Sequence, residues 1–135
     1  MESDYEKERR EALDAGQNAL DSLRRAKLCL DNARSWGIWD ILGGGMVSSL
    51  IKHDHMDKAR QHLFEAKSLL QGFEKELRDL NAFENINLDT KDLLGLADVF
   101  MDGFLADAMM QNRIHEAQLG VDRAIRRVEE ILQTI

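Results

Sequence analysis

The chain has 135 residues, with 25 Asp and Glu against 18 Lys and Arg for a formal net charge of −7. That length suits a single domain, residues 1–135, able to bury a core without staples. The negative balance opposes binding to phosphate backbones, so nucleic acid is not an expected partner.

The chain contains no proline and has long charged, alanine-rich segments, which predicts helices throughout. Its first residues show no basic head followed by an apolar run, so no secretory signal is expected and the cytoplasm is the expected location. A long N-terminal helix is predicted over 2–35. Its seam steps by alternate threes and fours through Arg9, Ala12, Gly16, Ala19, Leu23, Ala26, Leu30 and Ala33. Alanine at every second seam position lets a neighbouring helix come close, and Leu13 and Leu20 widen the apolar face. Cys29 is the sole cysteine, so no intramolecular disulfide can form and a buried structural thiol is expected. Arg24, Arg25 and Lys27 here, like Arg123, Arg126 and Arg127 later, lie among acids and read as solvated helix faces.

A first apolar connector, Trp36 to Lys52, follows. Its Trp-Gly-Ile-Trp opening and the triplet Gly43, Gly44 and Gly45 predict a turn near Ser35 to Gly37, a short helix, and a bend at the glycines. Asp54 is the expected N-cap of the next long helix, with Asp57 in the reciprocal position. Its seam is Met56, Ala59, Leu63, Ala66, Leu70, Phe73, Leu77 and Leu80. Asn81 to Thr90 reads as a polar loop, with Asp89 or Thr90 capping a short apolar helix over residues 91–110. Asn112 then caps a third long helix with the seam Ile114, Ala117, Val121, Ala124, Val128, Ile131 and Ile135. The expected fold is an all-α antiparallel bundle of three long heptad-patterned helices plus two short apolar ones. Neither apolar stretch is expected to cross a membrane: one is short and holds Asp40, and the other holds Asp98, Asp102 and Asp107.

An internal echo runs at an offset of 58 residues. Gly45, Met56, Ala59, Leu63, Ala66 and Leu70 align with Gly103, Ile114, Ala117, Val121, Ala124 and Val128, and Asp40 aligns with Asp98. Repeat units over about 38–80 and 96–135, related by a pseudo-twofold axis, are the expected consequence.

No reaction-specific motif is present. His53, His55 and His62 lie near Asp54, Asp57 and Glu65, but neither Glu-x-x-His nor His-Glu-x-x-His occurs, so no metal is expected. The glycine triplet lacks the lysine of a phosphate loop, and Ser48 and Ser49 lack a nucleophile elbow. No catalytic residue and no cofactor is therefore expected. Asp40, Asp98 and Asp102 interrupt the most apolar segments. With Lys52 and His53 they make a candidate polar site, for a small molecule or cation, where the connectors converge. Five of the six methionines fall in the two repeat units. Trp36, Trp39, Met46, Met101, Phe104 and Met109 form a candidate apolar interaction surface, since methionine adapts to irregular partners.

The first hairpin, roughly residues 5 to 80, resembles the WXG-type helical hairpins exported by type VII systems in having a Trp-Gly pair at its expected turn. That family's spacing is Trp-x-Gly, whereas Trp36 is followed directly by Gly37 and Trp39 by Asp40, so no function is carried across. The leading expectation is a non-enzymatic protein-interaction module, forming a homodimer or docking a partner helix. A ligand or cation site between the connectors, possibly enzymatic, is the alternative.

Overall fold

In the computed structural model, which describes residues 2–41, 46–84, 90–106 and 111–135, with side chains at 2–32, 57–82, 90–98 and 114–135, a capping box starts the first helix. The Glu6 N–H donates to Ser3 Oγ and the Ser3 N–H donates to Glu6 Oε2, both at 3.1 Å. Two amide donors that the helix cannot satisfy internally are thereby paired. Among the described residues every regular element is a helix: α1 (Asp4–Ile41), α2 (Met46–Glu84), α3 (Lys91–Ala106) and α4 (Gln111–Thr134). At a rise of about 1.5 Å per residue, α1 and α2 are each close to 60 Å long.

The first connector differs from expectation. Helix α1 continues through Ser35, Trp36 and Gly37 to Ile41, with no turn and no separate short helix there. One glycine inside a helix costs only about 1 kcal/mol, which the flanking residues can absorb when no proline follows. Helix α2 likewise begins at Met46, so Asp54 lies in its third turn and is not a cap. An Asx residue marks a start only where the preceding residues cannot continue the helix, and Met46 to His53 contains neither glycine nor proline. Asn112 falls inside the first turn of α4. The polar loop begins later than expected, α2 running on to Glu84. The bend expected at Gly43 to Gly45 lies outside the described residues. Thr90 does precede α3: it is buried, and its carbonyl accepts the Leu93 N–H at 3.2 Å.

The heptad seams are the core. Ala59, Leu63, Ala66, Leu70, Phe73, Leu77 and Leu80 are all buried on α2. On α4, so are Ile114, Ala117, Val121, Ala124, Val128 and Ile131. Helix α1 contributes Ala12, Gly16, Ala19, Leu20, Leu23, Ala26 and Leu30, while Arg9, written into its seam, is exposed and donates from Nε to the Ile135 carbonyl at 2.6 Å. A guanidinium at that position reaches a helix end, where unpaired carbonyls sit. Ile135 and Cys29 pack against the core from half-buried positions. Each fully buried Leu, Val or Phe contributes about 1.5–3 kcal/mol relative to exposure, so these stripes dominate the stability.

The helices form a ring in which α1 touches α2 and α4, and α3 touches α2 and α4. Surface pairs mark each contact: Arg25–Glu65 at 3.8 Å for α1/α2, Lys67–Asp98 at 3.3 Å for α2/α3, and Arg127–Asp92 at 2.8 Å for α3/α4. The α1/α4 contact carries Arg24–Glu129 at 3.5 Å, Lys27–Asp122 at 2.8 Å and a Gln118 Nε2 to Asp31 Oδ1 bond at 2.6 Å. The basic clusters thus lie on solvated faces among acids, as expected. Exposed pairs of this kind contribute roughly 0–1 kcal/mol each, so their role is to set which helix faces which. Inside the seam, the buried Ser22 hydroxyl donates to the His62 carbonyl at 3.2 Å.

Gly72 and Gly95 stand exposed on α2 and α3, and a Cβ built on either meets nothing within 4 Å. Gly72→Ala and Gly95→Ala should each raise stability by about 0.5–1 kcal/mol through lower backbone entropy of the unfolded chain. The check is a higher urea midpoint at unchanged slope; a lower midpoint for either variant would mean that its helix needs the glycine.

Candidate functional site

Along α1, residue 9 meets Ile135 just beyond α4, and residues 16, 24, 27 and 31 meet residues 132, 129, 122 and 118 of α4, so the two helices are antiparallel. Contacts of Gly16 with Phe73, Ser22 with His62 and Arg25 with Glu65 make α1 and α2 antiparallel as well. Helices α2 and α4 therefore begin at the same end of the bundle.

Of the residues singled out in the sequence, those described lie on α1, α2 and α3. Trp36, Trp39 and Asp40 are in the last turns of α1, and Met46, Lys52 and His53 in the first turns of α2. Asp98, Met101, Asp102 and Phe104 are on α3. Met109 lies outside the described residues, and among the others only Asp98 has a described side chain. Asp98 is exposed, and its carboxylate is held by Lys67 Nζ at 3.3 Å. This is the outward, cation-compensated position, and it costs little in water.

The Asp40 side chain, and with it the expected equivalence of Asp40 and Asp98, lies outside the described residues. Across α3 and α4, Arg127 meets Asp92. At an offset of 65, one heptad beyond the echo of 58, their counterparts are His62 and Lys27, a register that the α1/α2 contacts Ser22–His62 and Arg25–Glu65 bracket.

At the opposite end, three carboxylates gather that sequence reasoning did not single out. Glu8 of α1 and Glu76 and Asp79 of α2 place one oxygen each within 4.8 Å of one another. Glu76 is held above the usual carboxylate range, first by burial and then by the charges of Glu11, Asp79 and Glu8, with Lys75 opposing. The signal was present as Glu8/Glu11 and Glu76/Asp79, each three apart beside a seam, but it becomes a cluster only once the antiparallel register is known. A carboxyl group with a raised folded-state pKa binds its proton more tightly in the native chain than in the unfolded one. Its unfavourable contribution is therefore complete at neutral pH and fades as pH falls through the folded pKa towards the unfolded value. Glu76→Gln should accordingly raise the free energy of unfolding at neutral pH, by about the few tenths of a kcal/mol typical of like-charge relief. The gain over wild type should shrink on acidification; a gain that is constant from pH 7 to the acid side of the carboxylate range, roughly pH 4, would refute the charge origin.

An open furrow of about 240 Å³ between α1 and α4, lined by Gln17, Leu20, Arg24, Glu129, Leu132 and Gln133, is too exposed to exclude water from a reaction. Among the described residues no helix is long and apolar enough to cross a membrane. No family model, no curated protein and no solved structure matches this chain.

Proposed function

We propose that the protein is a non-enzymatic helical-bundle interaction module that self-associates, or docks a partner helix, through the Met-, Trp- and Phe-rich segments around its two links. The support is topological: antiparallel pairing of α1 with both α2 and α4 brings the first turns of α2 and α4 to the end of the bundle where α1 finishes. Trp36 and Trp39 in the last turns of α1 and Met46 at the start of α2 belong to that end, and Met101 and Phe104 are in the last turns of α3. Apolar and aromatic residues gathered in one region are what protein interfaces are built from. Among the described residues the exposed large apolar side chains, Leu28, Phe64, Leu94 and Leu119, fall one to a helix, a distribution ordinary for a monomer's surface.

Light scattering on the full chain after size exclusion should give the mass of a dimer at low micromolar concentration. Trp39→Ser and Phe104→Ser should shift it to monomer with helical circular dichroism retained, whereas Leu28→Glu should leave the dimer intact. Strictly monomeric wild-type protein overturns self-association, and dissociation by Leu28→Glu alone moves the interface to the α1/α4 face. A monomer whose melting temperature rises with an added divalent cation, and no longer does so in Asp40→Ala, would support the ligand site between the links instead.

A further inference from the structure

We draw no further inference here: the strongest candidate, the carboxylate cluster of Glu8, Glu76 and Asp79 on the α1/α2 seam, is an acidic cluster alone, with no second observation among the described residues that points to a ligand.

Discussion

Phe73→Ala is expected to lower the free energy of unfolding by about 3–5 kcal/mol, a large share of the 5–15 kcal/mol typical of a whole domain. Phe73 is the largest fully buried side chain among the described residues. Its ring lies where a Cβ on Gly16 of α1 would stand 2.9 Å from Cε1, and Leu132 of α4 reaches the same point. The ring thus fills the space between three helices at once. Those helices are fixed above and below it by further seam residues, so the cavity left by truncation can collapse only in part, and the cavity term adds to the lost burial. Phe73→Leu keeps most of the volume and should cost under about 1.5 kcal/mol. Urea titration of both variants checks this; a loss below about 1 kcal/mol for Phe73→Ala would mean that the helices close over the gap and that the junction is loosely packed.

The seams were legible in the sequence because their signal is redundant. In Ala59 to Leu80 every residue of a three-four pattern is constrained by the same buried face, so a misjudged position would be exposed by its neighbours. Helix ends carry no such redundancy. Gly37 and Asp54 each suggested a boundary from a single residue's preference, and a preference of about 1 kcal/mol yields to an uninterrupted run of helix formers on both sides. The register of a repeat is hard to read for a related reason. A heptad pattern matches itself almost equally well at any multiple of seven, so an offset of 58 and one of 65 differ only outside the seams. Of the candidate site, the sequence marked the apolar links and their aspartates. It did not reveal that Asp98 has Lys67 as its counter-charge, because that pair spans 31 positions and depends on how α2 and α3 are placed. The ring order of the helices was likewise hidden in pairs such as Lys27–Asp122, which become visible only after folding.

Gly16→Ala should destabilise the protein although the same change at Gly72 or Gly95 stabilises it. Helix propensity alone predicts a gain of about 1 kcal/mol at all three positions. At Gly16, however, the added carbon would stand 2.6 Å from Leu132 Cδ2 and 2.9 Å from Phe73 Cε1. Leu132 is half-buried beside the open furrow and its methyl can swing aside. The Phe73 ring is enclosed on every side, so α1 itself must move outward, at the 1–3 kcal/mol typical of overpacking. The net loss for alanine is about 1 kcal/mol. For Gly16→Val it is about 2–3 kcal/mol, since the extra methyls meet the same ring and a β-branched residue recovers less helix propensity. A double-mutant cycle identifies the obstacle. Combined with Phe73→Leu, which removes the ring edge, Gly16→Ala should cost at least about 0.5 kcal/mol less than it does alone. Strict additivity would instead place the clash at Leu132, and a stabilising Gly16→Ala would show that α1 and α2 do not approach at this point. The small seam position thus sets the spacing of the bundle: glycine forgoes local helix stability there so that the ring of one helix can rest against the backbone of the next.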